Sequence, residues 1–297
     1  MKNEKSAAQT HTPNSVPRTM FVVGTTATGK SGLAMRVAKE LNGELICADS
    51  QTLRRGLDIG TAKPSKQDQA DIVHHMLDII DPYERYSVAQ FQKAAKQLIQ
   101  DIQSRGKLPI LVGGTGLYID SVYYSYALSD EPTDDELEEK SVRELQEMIT
   151  DNGWALPNNP QNTRHLVGVI RRNGSKPVNK DPIDGAVIVG MKRSDDVLKQ
   201  RISDRIEAML ESGLLQEVRA LINKHGRPPS RMDAIGYPIV LRYMDGEIDM
   251  DTAKELFKSG DWQYARRQKA WFARNEHIQW FDTELAAFEY IKNIFAM

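Results

Sequence analysis

The densest chemistry in the chain lies between Met20 and Ser31, MFVVGTTATGKS. An apolar β-type run, Met20–Val23, leads into Gly24, Thr25, Thr26, Ala27, Thr28, Gly29, Lys30 and Ser31, and a helical pattern then follows through Leu33, Met35, Val37 and Leu41. This is G-x-x-x-x-G-K-[ST] with a strand before it and a helix after it, a P-loop in its proper context. Successive backbone N–H groups and the helix N-terminus point into one concavity, and Lys30 adds a point charge. Gly24 and Gly29 keep Cβ atoms away from the oxygens of the anion. The Ser31 hydroxyl suits a phosphate-bound Mg²⁺. The loop therefore predicts a polyphosphate or pyrophosphate ligand without saying which.

A second chemical position is Asp49, which ends the run Glu44–Ala48. In an open parallel sheet, ligands gather beyond the carboxyl ends of the strands, so Asp49 is expected to face the P-loop. A carboxylate there serves as a Mg²⁺ ligand, as a general base, or simply as a turn cap. A third position follows the strand Leu108–Val112, where Gly113-Gly114-Thr115-Gly116 stand in place of a Walker-B acid. Glycines let backbone approach a ligand, and a Thr hydroxyl bonds an amine or a phosphate oxygen. That substitution disfavours an ATP-driven motor and leaves a small-molecule kinase or another group transferase.

These groups need a scaffold, and length and composition bound it. The 297 residues suffice for one large domain or one domain carrying an insertion, and 40% hydrophobic with 27% charged residues is a soluble globular balance. No apolar run approaches the roughly 20 residues that span a bilayer. Residues 1–18 are polar and lack an apolar h-region, which predicts a disordered tail and no secretory signal. The single cysteine, Cys47, excludes an internal disulfide, fits a reducing, cytoplasmic setting and is expected as a buried strand thiol. With a net charge of −2, any nucleic-acid contact must come from local cationic patches.

Along the chain, the polar loop Gln51–Pro64 carries Arg54, Arg55 and Lys63, read either as a solvated face or as a clamp on a phosphorylated partner. His74–Ile80 reads as a short strand, its two histidines structural. Ser87 to Gln90 is a capping box that opens a helix to about Ser104. From about Tyr124 the composition shifts. An acidic stretch, Asp130–Glu147, is expected as a solvated helix face, and the basic stretch Arg164–Lys180, with Arg171 and Arg172, as a lid or a nucleic-acid contact. Ala186–Met191 returns to the core sheet. Helices follow: one capped by Ser194, one over Leu214–His225, then Pro238–Met244, Asp251–Phe257 and a basic-aromatic segment Trp262–Phe272. That segment reads either as a surface gripping phosphates and stacking bases or as an amphipathic helix with Tyr264 and Trp271 inward. The predicted fold class is α/β: a P-loop NTPase-like parallel sheet flanked by helices over 19–123 and 184–297, an inserted helical subdomain over 124–183, and a helical C-terminal part.

Taken together, GTTATGKS (Gly24–Ser31), ADS (Ala48–Ser50), RGLDIGTAKP (Arg55–Pro64), HHMLDIIDP (His74–Pro82), YSVAQFQ (Tyr86–Gln92), GKLPILVGGTGLYI (Gly106–Ile119), AIGYP (Ala234–Pro238) and YARRQKAWF (Tyr264–Phe272) resemble the bacterial tRNA dimethylallyltransferase (isopentenyltransferase) family. The resemblance covers most of the chain in order. It implies transfer of a dimethylallyl group from its diphosphate to N6 of the adenosine 3′ to the anticodon, with pyrophosphate released and Mg²⁺ as cofactor. On that basis Asp49 serves as base on N6, Thr115 fixes the amine, and Lys30 with Arg266 or Arg267 neutralises the pyrophosphate. The implied tRNA contacts are Asp49, Ser50, Gln51, Thr52, Arg55, Arg171, Arg172 and Arg266, in a monomeric cytoplasmic enzyme whose target base leaves its stack.

The sequence departs from the family pattern at Thr52-Leu53-Arg54, where the family has Gln-Val-Tyr, at Asn158–Leu166, and at Asp261-Trp262 in place of Thr-Arg. These departures bear on tRNA recognition more than on chemistry. A P-loop small-molecule kinase shares every element up to Val112 but does not predict DIGTAKP or the basic-aromatic segment. A non-catalytic RNA-binding relative would have no use for Asp49 and Thr115.

Overall fold

A computed structural model describes residues 19–128, 137, 139–171, 174, 181–227 and 234–295. Two compact units divide the chain, one made of the parts up to Ser125 and from Pro182 onward, the other of Tyr126–Asp181. The first is built on six parallel strands: β1 (Thr19–Gly24), β2 (Gly43–Cys47), β3 (His74–His75), β4 (Leu108–Gly113), β5 (Ala186–Met191) and β6 (Gln279–Phe281), in the order β3-β2-β4-β1-β5-β6. Every residue of β1 and β4 is buried, which is why neither alternates with polar residues: helices cover both faces. Val22 pairs with Val112 on one side and Val189 on the other, so the anion loop leaves the centre of the sheet.

One face of the sheet is covered by α1 (Lys30–Glu40) and α11 (Glu284–Phe295), whose Leu33, Val37, Phe288 and Ile291 pack with Met20, Val22 and Ile110. The intervening Phe21 points the other way, as strand periodicity requires, and meets Tyr123 edge-on at 5.1 Å. There lie α3 (Val88–Ser104) and α4 (Gly116–Tyr123), stacked through Phe91 and Tyr118 at 4.1 Å. The capping box at Ser87 forms as read, with the Ser87 N–H donating to Gln90 and the Gln90 N–H to the Ser87 hydroxyl. The short helix α2 (Lys66–Asp71) sits between β2 and β3 in sequence.

A second core gathers α7 (Asp195–Glu211), α8 (Leu214–His225), α9 (Gly236–Met244) and α10 (Met250–Phe272) around Leu57, through Ile202, Val218, Tyr237, Phe257 and Ala265. The unit Tyr126–Asp181 contains α5 (Val142–Asp151), capped by a Ser141–Glu144 box, and α6 (Thr163–Arg171), with Leu145, Ile149, Leu166 and Val167 as its own core. Among the described residues no helix is long and apolar enough to cross a membrane.

Four local expectations change. The strand read at His74–Ile80 stops at His75, because Met76 and Asp78 take left-handed backbone angles (φ 63° and 53°) that no strand continues. Asp251–Phe257 and Trp262–Phe272 are one continuous helix, α10; Gly260 does not end it, since a Cβ there would lie 2.6 Å from Ile235 and the residue serves close helix approach. Helix α9 begins at Gly236, with Pro238 in its first turn, where no amide donor is needed. Ser194 stands at the N-cap of α7 without making a side-chain cap bond. Residues 1–18, most of Asp130–Glu138, Arg172, Lys176 and Lys180 lie outside the described residues, so the tail, the first part of the acidic stretch and about half of the basic one are not placed.

Candidate active site

Local chain geometry builds the anion loop. Gly24 closes β1 at φ 152°, and a Cβ there would come within 2.5 Å of the Met191 carbonyl oxygen. The loop then braces itself: the Thr28 hydroxyl donates to the Thr25 carbonyl at 2.8 Å, and Lys30 Nζ donates to the same oxygen at 3.2 Å. Burial, reinforced by the positive charge of Arg205, pulls the Lys30 ammonium down to about 8, while Asp49 acts in the opposite direction. The Asp49 carboxylate is therefore close enough to Lys30 to feel its charge.

Two further arginines reach this loop from α7, one turn apart. Arg201 Nε donates to the Ala27 carbonyl at 2.6 Å, and Arg205 donates to the Thr26 hydroxyl. Arg193, just past β5, brings its guanidinium alongside Gly29. Sequence reasoning missed all three. The i, i+4 pair Arg201/Arg205 on the helix after β5 was the available signal, since that spacing sets two side chains on one helix face. Ser31 is exposed at the start of α1.

Beside this loop, at the same end of the sheet, lie the ends of β4 and, next to it, β2. The Gln51 N–H donates to Asp49 Oδ1 at 2.8 Å and the Thr52 hydroxyl to the Asp49 carbonyl at 3.3 Å, which fixes the carboxylate in its turn. The Ser50 N–H donates to the Thr115 hydroxyl at 3.1 Å, and the Thr115 N–H to the Ala48 carbonyl at 3.2 Å, lacing the two strand ends together. Tyr264, from α10, shares hydrogen bonds with Thr115 and Gln268; burial first, then the Asp49 charge, pushes its phenol well above the usual range. Gln51 Oε1 is buried and accepts no hydrogen bond from the described residues.

Helix α10 turns Asp261, Ala265, Gln268 and Phe272 inward, the spacing of one helical face. Gln268 Oε1 accepts from the Thr26 N–H at 2.8 Å, and its Nε2 donates to the Gly114 carbonyl at 2.9 Å. Asp261 pairs with Arg205; burial raises its carboxyl and the guanidinium opposes that. Trp271 Nε1 donates to Asp120 at 2.8 Å. Arg266, Arg267, Lys269 and Arg274 face outward, with Arg267 5.7 Å over the Tyr264 ring and Arg274 5.3 Å over that of Trp271. Aromatics half-buried under an exposed row of cations are what the amphipathic-helix reading of this segment expects.

The DIGTAKP loop is held by an acid that the sequence did not single out. Glu217 of α8 accepts from the N–H groups of Asp58 (2.9 Å), Ile59 (2.7 Å) and Gly60 (3.1 Å) and from the Tyr237 hydroxyl (2.5 Å). DIG and AIGYP are thus two parts of one anchor. Lys63 is buried and tied to Asp58 and Asp78. Arg54 donates to the carbonyls of Pro82 and Glu84, while Arg55, exposed, pairs with Asp81 at 2.9 Å. Of the candidate residues, Gly24–Ser31, Asp49–Thr52 and Thr115 lie beyond the carboxyl ends of β1, β2 and β4, and Arg267 is exposed on α10 over the Tyr264 ring. Arg266 lies on the outer face of α10, and Arg171 is exposed in the Tyr126–Asp181 unit.

Comparison with known proteins covers most of the chain. The model of the IPP transferase family matches residues 53–276. A tRNA dimethylallyltransferase from Anoxybacillus flavithermus is 39% identical over 280 residues, covering 89% of this chain and 90% of its own; that from Bacillus subtilis is 36% identical with the same coverage. The crystal structure of the full-length tRNA isopentenylpyrophosphate transferase from Bacillus halodurans superposes with a TM-score of 0.72 at 33% identity, over 94% of this chain and 97% of that one. A eukaryotic dimethylallyltransferase solved acting on tRNA gives a TM-score of 0.75 at 25% identity, over 91% of this chain and 75% of that one. With the family model matching most of its length and a relative 39% identical over nearly nine-tenths of it, this chain belongs to the IPP transferase family.

Proposed function

We propose that this protein transfers a dimethylallyl group from dimethylallyl diphosphate to N6 of the adenosine 3′ to the anticodon of tRNA, in the cytoplasm. The observation that carries the reading is that the anion loop after β1 and Asp49 after β2 leave the same end of one parallel sheet, near enough for the Asp49 charge to act on Lys30. The backbone N–H groups of the loop, Lys30, Arg201 and Arg205 hold the diphosphate. The N6 lone pair attacks C1 of the dimethylallyl group, the C1–O bond breaks, and pyrophosphate leaves with the bonding pair. Asp49 takes the N6 proton. Thr115, fixed by Ser50 and Tyr264, orients the amine, and the unpartnered Gln51 Oε1 offers a further acceptor to the flipped base. Charge growing on the leaving group is met by cations already in place.

Among the described residues no group of three or more His, Cys, Asp and Glu stands ready to hold a resident metal. The hard oxygen of Ser31 fits a Mg²⁺ that keeps waters and takes its remaining ligands from the diphosphate. Bound there, Mg²⁺ would neutralise pyrophosphate charge. Arg55, Arg266 and Arg267, with Arg171 and Arg172, supply the candidate phosphate contacts to tRNA. The test offers purified protein unmodified tRNA with labelled dimethylallyl diphosphate, and in parallel labelled ATP. Label carried into tRNA from the first supports the reading; phosphoryl transfer from ATP without it supports a kinase.

A further inference from the structure

One side chain of α10 joins the two halves of the site. Gln268 is buried, its oxygen bonded to the Thr26 N–H and its nitrogen to the Gly114 carbonyl. Those partners belong to different loops. Thr26 lies in the anion loop after β1; Gly114 precedes Thr115 in the loop after β4. β1 and β4 are neighbouring parallel strands, with Val23 paired to Gly113, so both loops leave the same edge and the amide spans the gap between them. The fit is close: a Cβ on Gly114 would lie 2.2 Å from Gln268 Nε2. An amide presents an acceptor and a donor at a fixed offset, so it holds an N–H and a C=O in register together. Seven residues earlier on the same face, Asp261 holds Arg205, which holds the Thr26 hydroxyl. Thr26 is thus held at its N–H by α10 and at its hydroxyl by an α7 arginine that α10 anchors.

We propose that Gln268 is a positioning residue that sets the register of the donor loop against the acceptor loop, so that the carbon under attack and the attacking amine meet in line. This rests on the transferase reading given above. Gln268 acts through Thr26 and Gly114, so its loss should misalign substrates that still bind. A misplacement of about 1 Å costs on the order of 100-fold in rate.

The test compares wild type with Gln268→Leu, which removes the bonds to Thr26 and Gly114 together with that to Tyr264, and Gln268→Glu, which keeps an acceptor for the Thr26 N–H but turns an acceptor toward the Gly114 carbonyl. Steady-state kinetics with dimethylallyl diphosphate and unmodified tRNA are read beside thermal melting and pyrophosphate calorimetry. The expected result is a kcat lowered by about 30- to 100-fold in each folded variant, with both KM values and the pyrophosphate Kd within about threefold of wild type. If Gln268→Leu does not fold, Gln268→Glu carries the test. A folded variant with wild-type kcat, KM values that rise while kcat is kept, or loss of folding in both variants makes Gln268 a structural strut and overturns the proposal. A wild-type protein that binds pyrophosphate yet transfers no dimethylallyl group refutes the transferase reading, and the register proposal falls with it.

Discussion

Lys30 shows how one residue's surroundings set the conditions under which the site works. Burial and Arg205 lower its ammonium to about 8, so the empty loop loses that charge as pH rises through the upper end of the working range. A bound diphosphate favours the charged form and pushes the value back up. The ratio of wild-type to Lys30→Met pyrophosphate affinity, in which the ligand's own ionisation cancels, should therefore be flat below about pH 7.5 and fall above pH 8, and near pH 8.5 the wild type should take up a fraction of a proton more than the variant. Calorimetry in two buffers of different ionisation heat measures that difference; none at pH 8.5 would show that Lys30 is already charged in the empty site. The positions of Lys30, Asp49 and Thr115 in the fold were legible in the sequence because each lies in a short motif just beyond a core strand. Gln268, Arg205 and Glu217 were not. Gln268 meets Thr26 across 242 positions and Arg205 meets it across 179, and no local pattern encodes such a meeting.

At the scale of elements, the motifs turn out to be halves of anchors. All four partners of Glu217 are donors, so Glu217→Gln forces an amide NH₂ against an N–H or hydroxyl and should cost about 1–3 kcal/mol. Urea unfolding checks this; an unchanged midpoint would mean the DIG loop is held elsewhere. A second buried acid, Glu44 of β2, is gripped by Arg105, Lys107 and His75. The Arg105 hydrogen bond, then Lys107 and His75, holds its carboxyl far below the ordinary 4.5. Because the folded value is the lower one, this stabilisation is present above about pH 4.5 and is lost as pH falls below it. Glu44→Gln should cost about 3 kcal/mol at pH 7 and progressively less below pH 4.5. Equal losses at pH 7 and pH 3.5 in urea titrations would remove Glu44 from the acid response. Strands and helices of the parallel core were readable because burial on both faces leaves continuous apolar runs. The His74–Ile80 segment misled because its apolar run hides two left-handed turns, and α10 because Gly260 serves packing against Ile235.

At the scale of the molecule, a chain of net charge −2 must hold a polyanion through patches. Arg266 and Arg267 face outward on α10 and Arg274 is exposed just past its end, and Arg171 is exposed in the Tyr126–Asp181 unit. Neutralising Arg171 and Arg172 together should weaken tRNA binding and flatten its salt dependence, by roughly 0.7 in log–log slope for each RNA phosphate that the protein then leaves to its counterions, with pyrophosphate affinity unchanged. An unchanged slope would make that basic stretch a solvated face. Arg267 should lower turnover as well, since it lies over Tyr264 beside Thr115.

The central claim is that Asp49 takes a proton from an adenosine amine while the P-loop holds the departing pyrophosphate. It is tested most directly by nucleoside mass spectrometry of tRNA from cells lacking this gene, complemented with wild type or with Asp49→Ala. N6-dimethylallyladenosine should vanish on deletion and return with wild type. With Asp49→Ala the purified enzyme should be slowed by about two to four powers of ten while still binding pyrophosphate. Unchanged N6-dimethylallyladenosine on deletion, or an Asp49→Ala enzyme turning over at the wild-type rate, would contradict it.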